Sequence, residues 1–203
     1  MSKKLVALTF EELNENRAAW ESVHGSWAPE TGELPIGDEP EQAGSILKYI
    51  EKKAKEAGVK LEDAVVVYKT KSGDVKIKQT KDITSGKGAG RGAFWGLLIG
   101  LLFGGPLGGV LWGLGIGAIY GRVVDHGVDD KFIQDVGDAL KPSTSALLIL
   151  IREEDYDDAL AYLKTFDAKI YEAELGEEAE EAVVKAAENP EIAKAVDVEF
   201  GAE

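Results

Sequence analysis

The chain has 203 residues, a formal net charge of −14 and no cysteine. The excess of carboxylates argues against a nucleic-acid partner, because a phosphate backbone requires clustered Lys and Arg side chains. Without cysteine, this chain has no disulfide, no thiolate metal ligand and no cysteine nucleophile. Its length suffices for one domain with a good hydrophobic core, or for one domain with an appendage.

The N-terminal part predicts a strand followed by a long insertion. Residues 5–10 are typical of a first β-strand, and the apolar run is too short for a secretory signal, so we expect an intracellular protein. A capping box and helical spacing predict a helix over 10–23, and a loop rich in Gly and Pro follows. We interpret 10–43 as an extended helix and loop insertion. Trp20 and Trp27 are expected to pack there as core or lid residues, with a ligand platform as the alternative.

A second helix and a β-hairpin follow this insertion. Gly58 is a natural stop for the helix, whose apolar face consists of Ile46, Leu47, Ile50 and Ala54. Residues 63–70 and 74–80 are strand-prone, and the short polar link between them ends in Gly73. This pattern predicts a β-hairpin.

The C-terminal half alternates helices and strands. Helix, strand, helix, strand and helix are predicted, in that order, at 129–141, 145–151, 153–166, 168–175 and 177–188. The continuous apolar run 145–151 is typical of a central strand. Pro190 is expected to stop the last helix, and the acidic end of the chain is expected to be a solvated helix or tail.

Without the segment 86–122, the first six elements have the order β-α-β-β-α-β. This order is typical of a ferredoxin-like α+β sandwich. We therefore predict a ferredoxin-like α+β domain formed by 1–85 and 123–175, interrupted by the insertion 86–122. An acidic C-terminal helix or tail, 176–203, completes the chain.

Glycines recur at intervals of four within the insertion 86–122. One series includes Gly88, Gly92, Gly96, Gly100 and Gly104, and a second consists of Gly105, Gly109, Gly113, Gly117 and Gly121. This spacing places successive glycines on one helix face, where another helix can approach closely. The two series meet beside Pro106. They predict a glycine-zipper helical hairpin with its turn at Pro106, whose packing offsets the cost of about 1 kcal/mol per helical glycine.

The hairpin is also strongly apolar. Residues 93–120 contain no charged side chain. Each arm has about 13–16 apolar residues, or roughly 20–24 Å of helix, whereas a bilayer core is about 30 Å thick. We therefore expect insertion from one side rather than a full crossing. Cationic and aromatic residues near the base suit the cytoplasmic membrane interface: Lys87, Arg91, Phe94, Trp95, Tyr120 and Arg122.

A core position for the hairpin is the alternative to lipid. Apolar stretches of 10–14 residues are often core helices of soluble proteins. A single α+β domain of this size is expected to be unable to cover both arms, so we place them in lipid or in a core shared with other copies of the chain. Both arrangements predict self-association.

Three short motifs invite a chemical interpretation and do not sustain it. The sequence "GKGAGRG" (86–92) matches neither a P-loop nor a dinucleotide fingerprint, although Lys87 and Arg91 are suitable for contact with lipid phosphates. The carboxylates around His126 are better explained as first-turn residues of the next helix than as metal ligands. The acidic run 153–159 is interpreted as a helix N-terminus. With no nucleophile, base and orienting group at a suitable spacing, we predict no enzyme, no catalytic residue, no cofactor and no metal.

Two longer segments carry a family resemblance. "VKIKQTKDITSGKGAGRGAFWGLLIGLLFGGPLGG" and "DHGVDDKFIQDVGDALKPSTSALLILIRE" resemble the DUF1269 family of bacterial and archaeal proteins over roughly residues 60–175. The resemblance implies a membrane-associated protein of unknown function and implies no reaction. The chain departs from the family in the length of the insertion 10–43, and in His126, where a tyrosine is expected.

These observations lead to one functional expectation and two alternatives. We expect a membrane-associated, self-assembling structural protein at the cytoplasmic side of a membrane, with other copies and membrane lipids as partners and no nucleic acid. The first alternative is a soluble homo-oligomer whose hairpins form a shared apolar core that holds lipid-like ligands. The second is a ligand-binding or regulatory ferredoxin-like domain, because this fold hosts many unrelated functions.

Overall fold

The computed structural model describes residues 2–10, 47, 52, 54–56, 58–70, 72–78, 88–103, 116–125, 128–142, 144–164 and 168–200. The strands are β1 (Lys3–Phe10), β2 (Asp63–Lys69), β3 (Val75–Lys78), β4 (Ser145–Arg152) and β5 (Lys169–Leu175). The helices are α1 (Gly88–Phe103), α2 (Ile116–Asp125), α3 (Asp130–Ala139), α4 (Tyr156–Leu163), α5 (Glu177–Ala187) and α6 (Pro190–Phe200). A single 3₁₀ turn (Glu153–Asp155) connects β4 to α4.

The five strands form one antiparallel sheet in the order β3-β2-β4-β1-β5. β4 lies at its centre, and residues 146–151 are all buried. A strand covered on both faces needs apolar side chains at successive positions rather than at alternate ones. The prediction of a central strand from the run "SALLILI" is therefore confirmed, and so is the mixed α+β class.

The chain crosses over twice within the sheet. β1 and β2 run parallel with β4 between them, and β4 and β5 run parallel with β1 between them. The sequence had assigned the β-α-β-β-α-β order to the first six elements, but β3 pairs only with β2, at the edge. β3 buries side chains on one face only, which suits an edge, and the later strand β5 forms the opposite edge of the sheet, beside β1.

Helices cover both faces of the sheet. The side called here the α1 face carries Leu5, Val65 and Leu148, and it packs against α1, α3, α5 and α6. The opposite side, the α4 face, carries Val6, Val66 and Ile149, and it packs against α4 and the helical residue Leu47. Because successive side chains along a strand point to opposite faces, each strand contributes residues to both faces of the sheet. The result is a three-layer arrangement with the sheet in the middle.

Local signals in the sequence are confirmed at two helix ends. Gly58 has a φ of +75°, and the Val59 N–H donates to the Ala54 carbonyl at 2.8 Å, which ends that helix as predicted. Asp129 is the N-cap of α3, because its Oδ1 accepts from the Phe132 N–H at 2.7 Å.

The end of the chain differs from the expected tail. α5 and α6 belong to the core on the α1 face, where Ala179 and Val183 of α5 and Ile192 and Val196 of α6 are buried. Pro190 begins α6 instead of only stopping α5, because proline is well suited to the first position of a helix. The preceding Asn189 accepts from the Glu191 N–H at 2.9 Å, and so caps the new helix.

The predicted insertion 10–43 lies almost wholly outside the described residues, with only Phe10 included as the last residue of β1. Trp20 and Trp27 fall in that part of the chain, so their roles stay predictions.

Candidate functional site

Part of the predicted hairpin is found in α1 and α2. The glycines of the two series that lie within these helices are Gly88, Gly92, Gly96, Gly100, Gly117 and Gly121. Several predicted positions lie outside the described residues: Lys87, Gly104, Gly105, Pro106, Gly109 and Gly113. The arms are therefore helical where the structure describes them, and the turn at Pro106 stays a prediction.

The middle of α1 lies inside the core of the same chain. Phe94 is 7% exposed and Trp95 is 2% exposed, and their rings meet edge to face with centroids 5.5 Å apart. Residues 97–99 are fully buried. Six consecutive buried positions, 94–99, mean that this helix is covered around its whole circumference. The expectation that one domain could not cover the arms is thus wrong for this segment, because α5 and α6 supply the cover.

Burial falls off towards the end of α1. Gly96 is buried, whereas Gly100, Leu101 and Phe103 are only partly buried. The uncharged stretch of sequence continues from there to Tyr120. Among residues 94–103, burial is therefore continuous up to Ile99 and is mixed beyond it, where Leu102 is still buried.

The interface residues expected at the base of the hairpin lie in different surroundings. Phe94 and Trp95 occupy the core, so a place for them at a membrane surface would require α1 to leave the sheet. Arg122 is exposed at the end of α2. Arg91 and Tyr120 lie within α1 and α2 by backbone position.

Gly121 is the most informative glycine of the two series. α2 packs against α5 and buries Val123, but a Cβ added at Gly121 would meet no atom within 4 Å. Packing among the described residues therefore gives no reason for glycine at this helical position, where alanine would be more stable by about 1 kcal/mol. Gly137 of α3 is open in the same way but lies outside the hairpin, which makes it a natural control.

A shallow cleft opens between α2 and α5, close to Gly121. Its volume is about 700 Å³, and its walls carry Arg122 on α2 and Glu181 and Lys185 on α5. Val184, which is 41% exposed, is also part of the lining.

The described helices are short relative to a membrane. α1 has 16 residues, which corresponds to about 24 Å at 1.5 Å per residue. No helix in the described part of the chain has the length and apolar character needed to cross a bilayer.

An ion cluster that the sequence did not reveal ties three distant parts of the chain together. The Lys3 Nζ lies 2.8 Å from the Glu62 Oε1 and also donates to the Glu180 Oε1. Burial by itself would lower the pKa of Lys3, but the hydrogen bonds and charges of Glu180 and Glu62 outweigh it, so this pKa is raised. The cluster joins β1, the segment before β2, and the start of α5. It holds together segments that are far apart in sequence, since 177 positions separate Lys3 and Glu180.

The acidic run after β4 is neutralised by cations rather than used as a helix cap. Asp155 makes no side-chain capping bond, whereas the Arg152 guanidinium lies 2.8 Å from both Glu154 and Asp155. Lys4 approaches Glu153 at 3.6 Å. The run nevertheless lies at a helix N-terminus as predicted, because Asp157 and Asp158 occupy the first turn of α4, and only a side-chain capping bond is missing.

The structure groups no metal-binding set in the ranges that it describes. Within them, no cluster of three or more His, Asp or Glu side chains is placed to hold an ion. His126 lies outside those ranges, and the neighbouring Asp129 serves as the cap of α3.

Comparison with known proteins gives one match. The sequence model of the family described as protein of unknown function DUF1269 matches residues 89–188. The resemblance was expected over 60–175, so the match begins later, at α1, and extends further, to the end of α5. No curated protein and no solved structure matches the chain.

The matched region is not a complete folding unit. It contains β4 and β5, which are not neighbours, because β1 lies between them in the sheet. Residues before position 89 are thus needed to complete the core around α1. Residues 89–188, from α1 to the end of α5, thus match the DUF1269 family of proteins of unknown function.

Proposed function

We propose that the protein is a membrane-associated, self-assembling structural protein, and that the glycine-rich segment 86–122 is its assembly element. The observation that carries this proposal is the open environment of Gly121. A helical glycine that no neighbour in its own chain requires is explained by the close approach of a helix from another copy. The partners are further copies of the chain and membrane lipids, and the protein acts at the cytoplasmic side of the membrane without catalysing a reaction.

The burial of α1 limits how this element meets lipid. Its middle is enclosed by the domain, whereas Leu101 and Phe103 are partly open and lead into an uncharged sequence that includes Leu111 and Trp112. We infer that the segment meets the bilayer through its part beyond Phe103, which lies outside the described residues. The hydrocarbon core of a bilayer is about 30 Å thick, and the described helices are shorter than that. Their length therefore agrees with shallow insertion.

The arrangement of four strands supports a finer description of the fold. β1, β2, β4 and β5 make two split β-α-β units, with helical residues 54–56 on one crossover and α4 on the other. This is the ferredoxin-like pattern. We infer that β3 and the hairpin were added between its second and third strands, and that α5 and α6 cover the face that the added elements also occupy.

A soluble assembly is the second candidate, and the burial of Trp95 favours it. If α1 stays in the core, the apolar surface left for lipid is small, and association of copies through α2 requires no membrane. The two candidates share the prediction of self-association, and they differ in whether the protein binds vesicles.

Self-assembly is tested by the mass of the purified full-length protein, measured by light scattering without detergent. We expect Gly121→Leu to reduce the wild-type assembly towards the 21.8 kDa monomer, because the larger side chain blocks a second copy. Gly137→Leu is the matched control, since it also introduces leucine at an open helical glycine. Circular dichroism should show both variants folded. Equal masses for the two variants and the wild type would contradict assembly through α2.

A further inference from the structure

The sheet ends in two strands whose outer edges pair with no other described strand. β3 is bonded only to β2, and β5 only to β1. A strand edge of this kind presents unpaired N–H and C=O groups, to which a strand from another chain can add. The chemistry of the two edges decides which partner fits.

The edge at β3 is basic on one face and apolar on the other. Val75 and Ile77 pack on the α1 face. Lys76 alternates with them onto the α4 face, where it is exposed and makes no ion pair with a described residue.

The edge at β5 carries the opposite charge on the same face of the sheet. Tyr171 and Ala173 pack on the α1 face, and Glu172 alternates onto the α4 face. Glu172 is exposed and accepts a hydrogen bond from the Tyr156 hydroxyl, and no described Lys or Arg neutralises it. On the α4 face, Lys76 and Glu172 are therefore exposed side chains of opposite charge, and neither forms an ion pair with a described residue.

The directions of the strands allow the two edges to meet. β3 runs antiparallel to β2, and β5 runs antiparallel to β1. Because β1 and β2 are parallel to each other, β3 and β5 run in the same direction. A second copy placed beside the first in the same orientation brings its β3 alongside β5 as a parallel pair. In that position the α1 faces of the two sheets lie on the same side.

We propose that copies of this chain associate head to tail, with β3 of one copy added to β5 of the next. Lys76 then lies beside Glu172 on the α4 face, and Val75 and Ile77 lie beside Tyr171 and Ala173 on the α1 face. The four residues of β3 fit within the seven of β5. Such a contact is heterologous, so it produces a ring if the rotation closes and a filament if it does not. It is independent of the hairpin contact, and the two fail separately.

The test is a charge exchange in the full-length protein, followed by sedimentation velocity at low and high salt. Lys76→Glu and Glu172→Lys each place like charges side by side, and each should weaken association on the order of tenfold. The double variant Lys76→Glu/Glu172→Lys restores the opposite pair and should recover the wild-type association. Lys141→Glu, at an exposed position away from both edges, controls for the change in net charge.

The same series in the Gly121→Leu background separates this contact from that of the hairpin. Salt should weaken the edge contact and leave contact between apolar hairpins unchanged. If Lys76→Glu sediments like the wild type in both backgrounds, or if the double variant fails to recover, the edge contact is refuted. The charges would then serve only to keep the two edges apart from other strands.

Discussion

At the scale of single residues, glycine has two physically different roles in this chain. Gly73, in the turn between β2 and β3, has a φ of +95°, which side-chain-bearing residues rarely adopt. Gly137, in the middle of α3, has ordinary helical geometry and open space around the position of a Cβ. The turn requires its glycine, whereas the fold of the monomer does not require the one in α3.

Two alanine substitutions test this distinction. Gly73→Ala should lower the free energy of unfolding by about 1–2 kcal/mol, because it forces alanine into the left-handed region. Gly137→Ala should raise that free energy by up to about 1 kcal/mol, through helix propensity. Both values come from denaturant titration followed by circular dichroism. A stabilising Gly73→Ala would show that the turn does not hold this φ in solution.

Lys3 shows how a single residue can stabilise the fold without any local signal in the sequence. Its partners Glu62 and Glu180 come from segments that meet only in the folded chain. Because folding raises the pKa of Lys3 above 10.5, the cluster contributes its full stability below that pH, and the contribution is lost as pH rises through the folded-state value.

Lys3→Met should lower the free energy of unfolding by about 1–2 kcal/mol at neutral pH, since it leaves two partly buried carboxylates without their cation. The difference from the wild type should stay constant up to a pH of about 10.5 and then shrink. Urea titrations across that range measure it. A difference that is absent at neutral pH would mean that the cluster is not formed.

At the scale of elements, the sequence identified most strands and helices but not what covers α1. The Gly58 stop and the apolar run of β4 are local signals, and each predicted its element correctly. An all-round apolar helix is compatible with lipid or with a core, and only its neighbours decide between them. Those neighbours are α5 and α6, which begin more than 70 positions later and whose acidic composition resembles a solvated tail.

The pairing of strands was hard to predict for a related reason. β3 follows β2 through a tight turn, so the hairpin is a local feature of the sequence. Both β3 and β5 lie at the edges of the sheet, and the pairing of β5 rather than β3 with β1 is a property of the whole assembly. The order of elements alone therefore grouped β1, β2, β3 and β4 as one set, whereas β3 pairs only with β2.

The position of α1 can be tested at Leu98, which is fully buried between the sheet and the covering helices. Leu98→Ala should lower the free energy of unfolding by about 2–5 kcal/mol, because it leaves a cavity in the core. Val184→Ala, at a side chain that is 41% exposed, should change it by less than about 0.5 kcal/mol. If Leu98→Ala is as mild as its control, α1 does not pack on the sheet in solution.

At the scale of the whole molecule, the domain encloses the middle of α1. The core on the α1 face includes strands before position 89 and helices after it. The region matched by the family and the described strands before it therefore share one hydrophobic core. α2 lies against α5 and presents Gly121 beside the cleft. The uncharged end of the hairpin, the open glycine and the two complementary sheet edges all favour assembly of several copies rather than a reaction within one.

Vesicle flotation of the detergent-free protein tests the membrane-associated role most directly. On a density gradient with phosphatidylcholine vesicles, the wild type should float, and high salt should not release it, because the contact is apolar. Leu111→Asp should remain at the bottom of the gradient, since a carboxylate in the bilayer costs about 2.5–3.5 kcal/mol. Val184→Asp introduces the same charge outside the hairpin and should float like the wild type. A wild-type protein that stays at the bottom as a lipid-free oligomer would contradict membrane association and leave the soluble assembly in its place.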